Sequence, residues 1–121
     1  MYRLALLGVI ALAGCVTPSI PIPPPDPAKM MFAVDTTNGL ATFAYAPTDV
    51  YIGAVAFVYN RDKGVGVIEN AHDDGSVGPT APVAAVIGDQ IVVTFQREDQ
   101  SVSTCIRLRD GAQDPTVSCS R

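Results

Sequence analysis

From Leu40 onward, short apolar runs rich in Val, Ile, Thr, Phe and Tyr are broken about every eight to twelve residues by Gly, Asn, Asp or Pro. Leu40 to Ala46 reads as one strand, stopped by Pro47. Ile52 to Tyr59 is apolar on both faces, which fits either a central strand or a short buried helix. Asn60-Arg61-Asp62-Lys63-Gly64 is a polar turn, and Val65 to Glu69 follows as a strand. Asp73-Asp74-Gly75 is a second turn, because Gly takes positive φ without a steric cost and Asp tolerates it. Val83 to Ile87 and Ile91 to Gln96 flank Gly88-Asp89-Gln90 and predict a hairpin with a three-residue loop. Within it Ile91, Val93 and Phe95 share one face. The clearest alternation comes last: Val102, Thr104, Ile106 and Leu108 point inward, while Ser103, Cys105, Arg107 and Arg109 point outward. Six or seven short strands with this spacing predict an all-β, antiparallel sandwich over residues 30–121.

The N-terminal end has a different pattern. Met1-Tyr2-Arg3 is a short basic start, and Leu4 to Gly14 is unbroken apolar sequence. That run suits a secretory signal and is too short to span a bilayer, which takes about 20 residues. Pro18 to Pro27 then holds six prolines in ten residues. Proline fixes φ and lacks an N–H, so helix and sheet interiors are closed to it. A polyproline II segment of that length reaches roughly 30 Å. It is expected to act as a stalk, with a docking peptide for an aromatic groove as the other use of such a sequence. Residues 1–14, 15–29 and 30–121 are therefore read as signal, linker and domain.

Leu12-Ala13-Gly14-Cys15 closes the apolar run and resembles the lipobox of bacterial lipoproteins. The resemblance implies cleavage before Cys15, a diacylglycerol on its thiol and an N-acyl chain such as palmitate on the new amino terminus. Small residues at 13 and 14 admit the peptidase, and several acyl chains hold a membrane where one binds marginally. In that family Val at position 16 is compatible with export to the outer membrane. The expected address is an outer-membrane lipoprotein facing the periplasm or the outside, or the outer face of a cell with a single membrane. No other cofactor is expected.

Composition narrows the function. Hydrophobic residues are 48% and charged residues 17% of the 121, so the chain has material for a core. Beyond residue 14 seven basic and twelve acidic side chains remain, a net charge of −5, which argues against nucleic acid. With one His, no Gly-x-Ser-x-Gly and no phosphate loop, catalysis and a small-molecule substrate are not expected. His72 offers zinc too few companions. Asp49, Asp62, Asp73, Asp74 and Asp89 would suit calcium if gathered at one end of a sandwich, and otherwise serve as solvated turn acids. Asp73, Asp74 and Asp89 are the candidates for a weak metal or loop-binding site. Arg107 and Arg109 would clamp a carboxylate or phosphate, or simply solvate an exposed strand. Tyr45, Tyr51, Phe57 and Tyr59, interleaved with Ala and Val, read as core.

A second resemblance rests on Val58-Tyr59-Asn60, Gly64, Ala71, Asp73-Asp74-Gly75-Ser76, Val83, Ala85, Gly88-Asp89, Ile91 and Val93. This order is similar to bacterial immunoglobulin-like modules, which serve as spacers and binding scaffolds. The chain departs from them in Gly78-Pro79-Thr80-Ala81-Pro82, inserted after the turn, and in a Cys-bearing tail. With Cys15 lipidated, Cys105 and Cys119 are an even pair outside the cytoplasm and predict a disulfide. Their spacing is wrong for a redox motif. The expected function is a lipid-anchored binding or structural module meeting another envelope protein. The alternative is an inhibitor or pilot factor for a secreted or surface protein.

Overall fold

Alternation of buried and exposed side chains sets the architecture seen in the computed structural model, which describes residues 21–117 and Cys119. Eight strands form two antiparallel sheets: β1 (Met30–Asp35), β2 (Leu40–Tyr45), β3 (Val55–Asn60), β4 (Val65–Asn70), β5 (Val83–Ala84), β6 (Gln90–Arg97), β7 (Gln100–Arg107) and β8 (Gly111–Ala112). One sheet runs β5-β2-β1-β8 and the other β4-β3-β6-β7. No α-helix occurs among the described residues; single 3-10 turns cover Pro27–Lys29 and Asp49–Tyr51. Ile52 to Tyr59 is thus mainly a strand in the second sheet, with Ile52 and Gly53 in the turn that leads into it.

The core lies between the sheets. Met30 and Phe32 of β1, Ala41 and Phe43 of β2, Ala56 and Val58 of β3, and Ile91, Val93 and Phe95 of β6 all point into it. Burying side chains of this size from both inner faces supplies the main driving force, at roughly 25 cal/mol per Å² of apolar surface. Aromatic rings fill one end: Tyr51 stacks on Phe95 with centroids 4.0 Å apart, and Tyr45 meets Phe95 edge-on at 5.1 Å.

Two hairpins use one turn design. In Asp35–Gly39 and Asn60–Gly64 the final Gly has φ near +65° and donates its N–H to the first residue's carbonyl, at 2.9 and 2.8 Å. The first side chain accepts N–H groups inside the turn: Asp35 from Thr37 and Asn38, Asn60 from Asp62 and Lys63.

Two expectations are corrected, and the inserted segment is placed. Gly88-Asp89-Gln90 does not close a hairpin. β5 pairs with β2 and β6 with β3 and β7, so this turn carries the chain from one sheet to the other. Alternation stops at Val86 and Ile87, both exposed, and the Asp89 carboxylate accepts the Val86 N–H instead. The inserted Gly78–Pro82 segment follows the edge of β2: Val77 bridges Tyr45, Thr80 donates its N–H to the Phe43 carbonyl, and Val83 pairs with Ala41. Nor is the proline segment a free stalk from 22 onward. Ile22 is buried in the core, and the Tyr51 and Thr104 hydroxyls donate to the carbonyls of Pro23 and Pro25. Prolines cannot donate, but their carbonyls remain available, and the sandwich uses them. The described core therefore extends back to Ile22, ahead of Met30.

Candidate functional site

The acids proposed for a cation lie at opposite ends. β4 begins beside Asp62 and ends before Asp73 and Asp74, a span of about 17 Å for six extended residues. Asp89 sits at the Asp62 end. It is buried, receiving the Asn60 amide at 2.8 Å, the Val86 N–H at 3.0 Å and Lys63 Nζ at 3.4 Å. Burial alone would raise its pKa, but these donors outweigh burial and lower it. Asp89 is therefore a latch between the β3–β4 turn and the crossover into β6. Asp62 does related work, accepting the Gln90 N–H at 2.7 Å.

At the other end, Asp74 caps its own turn. Its carboxylate accepts the Ser76 hydroxyl at 2.6 Å and the Ser76 N–H at 3.0 Å, and these bonds lower its pKa. His72 Nε2 lies 3.0 Å from the Gly78 carbonyl oxygen. Among the described residues no group of three or more His, Cys, Asp or Glu side chains is placed to hold a metal. Asp49, Asp62, Asp73, Asp74 and Asp89 are not gathered at one end; Asp62, Asp74 and Asp89 accept hydrogen bonds in turns instead, the alternative the sequence held open.

Cys105 and Cys119 form the disulfide, with Cα atoms 5.4 Å apart. Cys119 also donates its N–H to the Cys105 carbonyl at 3.3 Å, so the tail lies along the outer edge of β7. Arg107 ends β7 and pairs in register with Gln90. Arg109 lies past the end of β7 and donates Nε to the Ala112 carbonyl at 2.6 Å. Cys15 and Leu12-Ala13-Gly14 lie outside the described residues.

Two surfaces stand out. A groove of about 590 Å³ opens where the chain enters the sandwich, lined by Pro23, Pro25, Asp26, Tyr45, Tyr51 and Pro115. Burial raises the pKa of both tyrosines, so they remain neutral. The Tyr45 hydroxyl accepts the Asp26 N–H at 2.9 Å, which holds the entering segment as one wall of the groove.

The second surface is the outer face of the β4-β3-β6-β7 sheet. Register places Ile68, Phe57, Thr94 and Ser103 in one row, and Gly66, Tyr59, Val92 and Cys105 in the next. Its β3–β4 half is apolar and its β6–β7 half carries hydroxyls. Ile68 is 65% exposed and Tyr59 46%. Tyr45 and Tyr51 are core, as expected, but Tyr59 belongs to this surface and Phe57 is half-buried beneath it. The signal was present: a strand apolar on both faces, in a two-layer fold, must turn one of them outward. Compared with protein-family models, curated proteins and solved structures, the chain matches none of them.

Proposed function

We propose that the chain is a lipid-anchored, non-enzymatic binding or structural module of the bacterial envelope, built as an immunoglobulin-like sandwich. The observation that carries this reading is the motif Leu12-Ala13-Gly14-Cys15, which stands seven residues ahead of Ile22, the first described residue packed into the core. A lipid on Cys15 would hold the domain close to the membrane. The export route would also oxidise Cys105 and Cys119.

Strand order supports the finer fold reading. β1, β2 and β5 follow the A, B and E strands of immunoglobulin-like domains, while β3, β4, β6 and β7 follow C, C′, F and G. The aromatic contact of Tyr45 with Phe95 joins β2 to β6, the strands that antibody domains link by a disulfide. In such scaffolds the sheet face and loops carry recognition, and fold alone names no partner. The apolar outer face around Ile68, Phe57 and Tyr59, flanked by the Arg61 guanidinium over Cys105, is the surface proposed to meet another envelope protein.

Fractionation tests the address. Wild-type chain should sediment with envelope membranes, and Cys15→Ser should accumulate as uncleaved precursor. Normal maturation of Cys15→Ser would refute the reading.

A further inference from the structure

The sheet edges are not treated alike. The first sheet ends on β5 and β8, each two residues long. The edge of β7 is occupied by the Cys119 N–H and pinned by the disulfide. β4 is six residues long, has no proline, and has no strand on its outer side among the described residues. Beyond its last pair, Ala71 donates to the Ala54 carbonyl at 2.9 Å. Alternation therefore turns the backbone groups of Val65, Val67 and Glu69 toward β3, and those of Gly66, Ile68 and Asn70 outward. Such an edge is a template for another strand.

The side chains say which strand. Ile68 is the most exposed large hydrophobic residue of the described chain. Two positions away Gly66 has no room for a side chain: an added Cβ would lie 2.8 Å from the Val58 carbonyl oxygen and 3.3 Å from the Tyr59 ring, which closes over the glycine. A matching strand needs an apolar side chain to meet that ring beside Gly66, a small residue opposite Ile68 and a cation near Glu69. β4 and the turn before it carry all three.

We propose that β4 pairs antiparallel with β4 of a second copy of this chain, about a two-fold axis through Val67. Gly66 of each copy then faces Ile68 of the other, and four backbone hydrogen bonds form. Each Ile68 covers the other copy's Gly66 and meets its Tyr59, extending the apolar row from Phe57 across the junction. Lys63, whose Nζ lies 3.4 Å from Asp89 of its own copy, falls diagonal to Glu69 of the second copy, within reach of a long side chain. A one-residue slip would turn Ile68 to the opposite face, so the register is specified. The two four-stranded sheets become one of eight strands. This goes beyond the envelope reading and does not depend on a lipid at Cys15.

Cross-linking of the full-length chain in its cells tests the pairing. Facing residues in a non-hydrogen-bonded antiparallel pair have Cα atoms about 4.5 Å apart, within disulfide range. Val67→Cys, oxidised with diamide, which takes up the two thiol hydrogens, should give a reducible dimer joined at position 67. Thr94→Cys, in mid-face, and the chain without added cysteine should stay monomeric. Adding Ile68→Lys should cut the Val67→Cys dimer at least fivefold. The unsubstituted chain gives a second readout: carbodiimide, taking up the water released, should condense Lys63 with Glu69 of another copy into an amide within a dimer-sized band. Monomer alone in both experiments, equal dimer from Thr94→Cys, or capture of a different protein at position 67 would overturn the proposal.

Discussion

At the scale of single residues, buried polar groups show where the fold is held. Asn60 is fully buried, and its amide bridges the Ala84 carbonyl and Asp89 while its oxygen closes the β3–β4 turn. Asp89→Ala would leave that amide and the Val86 N–H short of an acceptor. Chemical denaturation should show a loss of about 1–3 kcal/mol. Because the Asp89 pKa lies below its ordinary value of 3.8 when folded, its contribution is present above that value. It is lost as pH falls through the depressed folded value. Acid titration should therefore destabilise the wild-type chain more steeply below about pH 4 than it does Asp89→Asn. Equal slopes would show that the carboxylate is not coupled to folding. Glycines separate by surroundings as well. At Gly39 an added Cβ meets nothing within 4 Å, so Gly39→Ala should cost only the left-handed backbone penalty, about 1 kcal/mol. At Gly75 the Cβ would overlap the Thr48 carbonyl oxygen, and Gly75→Ala should lower Tm far more.

Among the elements, the proline segment carries the sharpest prediction. Ile22 is buried against the core, its N–H donates to the Gln100 side chain at 2.8 Å, and the two carbonyls that follow bind Tyr51 and Thr104. Ile22→Ala should cost about 2 kcal/mol or more. A melting curve unchanged by this substitution would restore the stalk. The sequence made β6 and β7 legible through their alternation on a period of two, and β2 and β4 through the turn residues that bound them. It also showed the inward face of Ile91, Val93 and Phe95. β1 is less legible: Met30, Phe32 and Val34 alternate and Asn38-Gly39 marks its turn, but the strand directly follows the proline run. The sheet-to-sheet crossing at Gly88 was not legible at all. Two apolar runs around a Gly-Asp turn look the same whether the strands pair or diverge, and tertiary contacts of Asn60 and Asp89 decide between them. Calcium and solvated turn acids stayed open in the sequence for a related reason: spacing along the chain does not reveal which end of a sandwich a turn occupies.

For the whole molecule, the described sandwich has one covered flank and one open one. The disulfide closes a loop 14 residues apart in sequence and holds the tail over β7. Cys119→Ser should lower stability by about 3 kcal/mol on the chain-entropy account, read as a shift in denaturation midpoint. The opposite flank leaves β4 and the apolar face beside it open to solvent. The most direct test of the envelope assignment is the intact mass of the mature chain purified from the membranes of its own cells. The account predicts an amino terminus at Cys15 carrying a diacylglycerol and an N-acyl chain. A mature chain that begins elsewhere, or an unmodified Cys15, would contradict it.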